Sequence, residues 1–173
     1  FNVAFEGLLG REGPLTAGQM QDFTDFILQV TYPPNPIRNL DDSLTTDAAA
    51  GRNFYLNSSP SGVFQTCNGC HRLDRAQGFF GSDGFSTFEG ETQMFKVAHL
   101  RNAYQKVGMF GMPGDGVHQG PQVRGFGYLH DGSVSPVQNF VSSPVFQHLN
   151  LTQERQIEQF LLAFPSDVAP VVG

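Results

Sequence analysis

The sequence predicts a mostly α, loop-rich chain, and three observations carry that reading. Apolar residues recur at helical spacing in LTAGQMQDFTDFILQV, TTDAAAGRNFYL and TQERQIEQFLLAF. The 20 Gly, 11 Pro and 17 Phe, with no Trp, describe long irregular connections filled by phenylalanine. Outside the three helical stretches nothing alternates as a strand should, so few strands are expected.

In the first helix Met20, Phe23, Ile27 and Val30 form an apolar stripe three and four residues apart, behind a cap near Thr16. It must stop before Pro33. Pro33, Pro34 and Pro36 keep YPPNPIRNLDD extended, because proline fixes its own φ and restricts the residue before it. Residues 1–44 therefore read as an N-terminal helix and Pro-rich wrap packed on a core made by residues 45–173. That core opens with a helix capped by Thr45 or Thr46, with Asp47 well placed in the first turn and Ala50, Phe54 and Tyr55 turned inward.

From Gly78 to Gly90, GFFGSDGFSTFEG fits neither period and reads as a folded loop whose rings plug a cavity. A short helical turn is expected over Val97 to Tyr104. Between Gly108 and Gly127 stand seven glycines and two prolines, a long loop of the kind that serves a ligand. The last helix presents Ile157, Phe160, Leu161 and Phe164, with Asn150 or Thr152 as its cap. Asn57-Ser58-Ser59 and Asn150-Leu151-Thr152 also match the N-glycosylation sequon, a short pattern of little specificity.

The 173 residues are enough for one domain, or one domain with a wrapped extension. A formal charge of −6 has the wrong sign for gripping phosphates, so no nucleic-acid partner is expected. The longest obvious apolar run, FLLAF at Phe160 to Phe164, is far below the ~18 residues of a membrane span. A first residue of Phe rather than Met predicts a processed product or a segment of a longer, multi-domain protein.

The chemistry concentrates in TCNGCHRLD, residues 66 to 74, which holds the only two cysteines, Cys67 and Cys70, with His71 directly behind. Two thiols three positions apart in one turn of helix can add to the two vinyl groups of a porphyrin, while the next imidazole reaches the iron. C-x-x-C-H is the signature of that c-type haem attachment. Zinc would need a fourth ligand and normally a second paired cluster, and no second C-x-x-C or H-x3-H exists. A redox dithiol would want a strand-rich βαβ setting. A structural disulfide across so small a loop would add little stability. The expected cofactor is one covalent haem c, and covalent attachment implies an extracytoplasmic location: periplasmic, cell-surface or secreted.

A second axial ligand decides between a carrier and a catalyst, because a six-coordinate His/Met iron transfers electrons and an open position invites chemistry on small molecules. Met20 sits on the stripe of the first helix and reads as core, and Met94 lacks a suitable loop. Met109 and Met112, in VGMFGMPGDG, stand among glycines that let backbone approach a flat cofactor. Met109, flanked by Gly108 and Gly111, is preferred, with Met112 as the alternative. His99, His118, His130 and His148 are further alternatives, of which His130 in the tight YLHDGS turn stands out.

At FKVAHLRNAYQKVGMFG and GYLHDGSVSPVQNF the sequence resembles the haem domains of the bacterial di-haem cytochrome c peroxidase and MauG superfamily. Those domains carry C-x-x-C-H, then F-K-x-P-x-L-R-N, then Y-x-H-D-G-S. The matching stretches are Cys67 to His71, Phe95 to Asn102 and Tyr128 to Ser133, within a resemblance covering about residues 45 to 165. It implies a cytochrome c-like helical core around one haem, with His71 proximal and Arg101 near the haem propionates. Ala98 replaces a frequent Pro, MPGDGVHQGPQVRGFG is an insertion, and FVSSPVFQHLN lacks the methionine that the peroxidases place beyond the H-D-G histidine. The ligand position of the family does not transfer, and Met109 rests on its local setting.

The function expected is electron transfer by a mono-haem module, serving redox protein partners and fused to other domains in the full-length protein. A peroxidase or MauG-like oxidase is the alternative that the resemblance implies, although those enzymes use two haems and this chain has one C-x-x-C-H. A haem-based sensor is a third. An acidic surface would favour a positively charged docking face on the partner.

Overall fold

The computed structural model describes residues 1–60, 65–87, 93–106, 128, 134, 137–146, 149–166 and 168, with only the main chain of Lys106. Contacts divide the chain into two compact units, Phe1–Tyr32 and Pro33–Gly173. The Pro-rich run thus goes with the second unit rather than with the helix before it.

In the first unit, α1 (Asn2–Gly7) and α2 (Ala17–Gln29) are tied by the Asn2 side chain, which donates to the Leu15 carbonyl (2.9 Å) and accepts from the Leu15 N–H (2.7 Å). A capping box starts α2: Gln19 N–H donates to Thr16 Oγ1, and Thr16 N–H donates to the Gln19 side chain. Phe23 packs edge-on to Phe5, with centroids 5.0 Å apart, and beside Phe1. The expected stripe is only half realised. Met20 and Phe23 are half-buried, whereas Ile27 and Val30 are exposed, because a unit of two short helices closes around one aromatic cluster at the start of α2.

The second unit is organised by two crossing helices. Thr45 caps α3 (Thr46–Asn57) by accepting from Ala48 N–H, and Asn150 caps α6 (Leu151–Leu162) in a second capping box with Gln153. These helices make the most extensive packing of the fold. They approach so closely at Gly51 that a Cβ there would lie 1.9 Å from the main-chain oxygen of Gln156. Around the crossing, Tyr55, Phe80, Phe160 and Phe164 form a buried aromatic core, with Leu44, Cys67, Leu73 and Leu100 against it. A second cluster joins Val137 and Val141 of α5 (Val137–Val141) to Ile157 of α6.

The Pro-rich segment is fastened to the end of α6 by two side chains. Asn35, 2% exposed, donates to the carbonyls of Leu162 (2.8 Å) and Phe164 (3.0 Å) and accepts from Ile37 N–H. Arg38 donates to Asp42 and to the Ala163 carbonyl. Buried carbonyls at a helix end need such donors.

Between α3 and α5 the chain is mostly irregular. The four-residue α4 (Cys67–Cys70) is followed by β1 (Leu73–Asp74), which pairs antiparallel with β2 (Phe79–Phe80) across a 3₁₀ turn at Arg75–Gln77. Then β3 (Ser86–Thr87) pairs with β4 (Phe95–Lys96). The Gly78 to Gly90 stretch is therefore partly organised as strand pairs. Phe80 fills the core, as expected of a plugging ring, but Phe85 is exposed. The turn expected over Val97 to Tyr104 corresponds to extended chain through Leu100 and a 3₁₀ turn only at Ala103–Lys106, because main-chain bonds from Val97 to Phe85 and from Leu100 to Phe80 hold the first part straight. Helix with long loops is the architecture; among the described residues strands occur only as two-residue pairs. No helix among them is long and apolar enough to cross a membrane.

Candidate functional site

Sequence dictates a short helix at the cysteines and then forbids its continuation. Gly69 N–H donates to the Thr66 carbonyl and His71 N–H to the Cys67 carbonyl, closing α4. Asn68 Oδ1 then accepts from Leu73 N–H (2.8 Å), turning the chain into β1. The two thiols are free; Cys67 is half-buried against the aromatic core and Cys70 is exposed. Burial pushes the Cys67 thiol up to about 11, against a backbone hydrogen bond that lowers it, with Cys70 adding to the rise.

His71 is held from two sides. Its main-chain carbonyl accepts from the Tyr55 hydroxyl of α3. Its ring Nδ1 lies 3.0 Å from the Gly81 carbonyl and 3.1 Å from the Ala98 carbonyl. Both partners are acceptors only, so Nδ1 must carry the proton, and in the neutral imidazole the lone pair then sits on Nε2. A histidine that ligates a metal uses the same device, donating its other ring N–H to a carbonyl so that tautomer and ring orientation are fixed.

Three segments converge to make this clamp. Gly81 N–H donates to the Arg72 carbonyl (2.7 Å), and Leu100 N–H donates to the Phe80 carbonyl (3.0 Å). Gly81 has φ +90°, and a Cβ there would lie 2.8 Å from Leu100 N. Only glycine lets that strand end turn while pressing against Leu100. The Ser82 hydroxyl donates to the Val97 carbonyl and fixes the same approach one step along.

Arg101 follows at once, its guanidinium over the Phe80 ring at 4.6 Å. Asn102 has φ 63°, in the left-handed region, and its buried Oδ1 has no hydrogen-bond partner among the described residues. Tyr128, whose hydroxyl donates to the Ala103 carbonyl (3.2 Å), pairs with Val134 in an antiparallel bridge.

Cys67, Cys70, His71 and Arg101 thus lie on connected elements of one unit. Met109 and Met112 fall outside the described residues, as do His118, His130 and His148. Met94 and His99 are exposed, and Met20 belongs to the first unit. Among the described residues no three His, Cys, Asp or Glu side chains gather within reach of one metal ion. Tyr55, Gly81 and Ala98 are the contributors that sequence reasoning missed. Tyr55 reads from the sequence as a core residue, and the other two act through carbonyls that every residue possesses. The donor set fits a haem: two free thiols on one helical turn, an imidazole directly behind them whose Nδ1 faces two carbonyls, and the Arg101 guanidinium over Phe80. Compared with protein-family models, with curated proteins and with solved structures, the chain finds no match.

Proposed function

We propose that the chain is a mono-haem c-type electron-transfer module. Cys67 and Cys70 would hold the haem through thioethers, His71 would ligate its iron, Arg101 would pair with its propionates, and Met109 would supply the second iron ligand, with Met112 as the alternative. One observation supports this above the others: His71, directly behind the two thiols, has its Nδ1 faced by the Gly81 and Ala98 carbonyls. An imidazole that donates its Nδ1–H to main-chain carbonyls has the tautomer in which Nε2 is the ligand atom.

When bound, haem supplies a one-electron couple at its iron. The chain's own share is positional. The carbonyls of Gly81 and Ala98 hold the proton on Nδ1, which makes the ring a better donor at Nε2. The Tyr55 hydroxyl anchors the His71 main chain to α3. Phe80, Phe160 and Leu100, packed with Cys67, keep water from the attachment side. A thioether ligand would raise the potential relative to two imidazoles. The net −6 suits a basic docking face on a redox partner, bound weakly and in a salt-dependent manner. An extracytoplasmic location belongs to the same proposal.

The test is spectroscopic. Ferric and ferrous forms of the holo-protein should be low-spin and inert to CO and cyanide, and Met109→Ala should remove the sulfur-to-iron charge-transfer band. High-spin ferric iron or ready CO binding in the unaltered protein would contradict electron transfer and favour the peroxidase-type alternative.

A further inference from the structure

A cavity of about 340 Å³ opens in the second unit, where Arg38, Arg52 and Arg75 stand over Leu44, Leu73 and Phe160. Its lining contains neither cysteine and not His71. Three of the chain's ten Lys and Arg meet there, in a protein whose formal charge is −6.

The three guanidinium groups have different duties. Every nitrogen of Arg38 is engaged, Nε and Nη2 by Asp42 and Nη1 by the Ala163 carbonyl, so Arg38 is a strut. Asp42 has φ 64°, a left-handed conformation uncommon outside glycine, and it is held there between Arg38 and Arg75. Such a residue persists where its surroundings over-determine it, and such positions gather at binding sites. Arg75 uses only Nη1, donating to Asp42 Oδ2 at 3.3 Å. Among the described residues its Nε and Nη2, and the whole guanidinium of Arg52, make no hydrogen bond or ion pair. Three cations against the one carboxylate of Asp42 leave two positive charges over an apolar floor.

We infer that this is a binding pocket for a small carboxylate with an apolar body. Guanidinium forks match a planar carboxylate in a bidentate manner, and the half-buried Leu44 and Leu73 take the apolar part. The volume, near the lower end of the range for ligand pockets, limits the body to about one ring. The inference stands apart from the haem reading, since no haem-binding residue contributes.

Benzoate and acetate titrated by calorimetry into the 173-residue chain at low ionic strength test it. Benzoate should bind once, saturably and more tightly than acetate. Arg52→Gln and Arg75→Gln should each weaken it about tenfold or more, the loss expected for one charge-assisted hydrogen bond. Arg11→Gln, which removes the same charge in the other unit, should leave it unchanged. No saturation below concentrations on the order of 50 mM would overturn the inference. So would an equal loss in Arg11→Gln, or no loss in Arg52→Gln; Arg52 makes no bond among the described residues, so that variant decides the matter if Arg75→Gln folds poorly.

Discussion

The buried hydroxyl of Tyr55 donates a hydrogen bond to the main-chain carbonyl of His71, joining the helix that organises the core to the residue that follows the two cysteines. Tyr55 is 1% exposed, and its ring packs edge-on against Phe160 and Phe164. Tyr55→Phe keeps the ring and deletes the bond, leaving a carbonyl in need of a donor. The expected loss is about 2 kcal/mol, measured by urea denaturation. A loss below about 0.5 kcal/mol would mean that the bond is replaced by water at no cost.

Gly51 at the crossing of α3 and α6 permits a sharper forecast. Alanine is intrinsically the better helix former by about 1 kcal/mol. Its Cβ would nevertheless lie 1.9 Å from Gln156 O, a main-chain atom that cannot swing aside. Gly51→Ala should therefore destabilise by about 3 kcal/mol or more, or prevent folding. Thermal unfolding distinguishes this from the small gain that helix propensity alone predicts.

The two thiols should differ in reactivity when no haem is attached. Cys67 is half-buried and its thiol is pushed up to about 11, so at pH 8 only about one molecule in a thousand carries the thiolate. Cys70 is exposed. Iodoacetamide followed by mass spectrometry should place the first label on Cys70, with Cys67 labelled at least about tenfold more slowly. Equal rates would show that Cys67 is not packed against the aromatic core.

Glu158 carries a pH signature. Its Oε1 accepts from Gln138 N–H (3.1 Å) at the start of α5. Burial raises its carboxyl above the ordinary 4.5, outweighing the Gln138 bond and Arg155, which both lower it. The folded state then holds a proton that the unfolded chain has already released. Stability from this group is complete below about 4.5 and falls as pH rises through the folded value. Glu158→Gln should gain on the unaltered protein between pH 4 and 7, and denaturation series at several pH values check the sign. A lead that shrinks with rising pH would mean that the carboxylate's bond to Gln138 dominates.

What the sequence disclosed follows from how local each signal is. Thr16, Thr45 and Asn150 are legible as caps because a cap needs only a short polar side chain three residues ahead of a partner N–H. The pairing of Ser86–Thr87 with Phe95–Lys96 is not legible, since a two-residue ladder is too short to show a period of two. Ile27 and Val30 have helical spacing but lack a surface to cover them within their own unit, and spacing cannot report that. At the site, Cys67, Cys70 and His71 declare themselves by spacing. The carbonyls of Gly81 and Ala98 reach Nδ1 only after the chain has folded, and no side chain announces them.

Covalent haem attachment is tested most directly by the intact mass of the denatured chain, produced in cells that carry haem-attachment machinery. The unaltered protein should retain the mass increment of one haem after acid extraction, and the double variant Cys67→Ala, Cys70→Ala should have the mass of the bare polypeptide. An unaltered chain at its bare mass, with any haem removed by the extraction, would contradict the proposal.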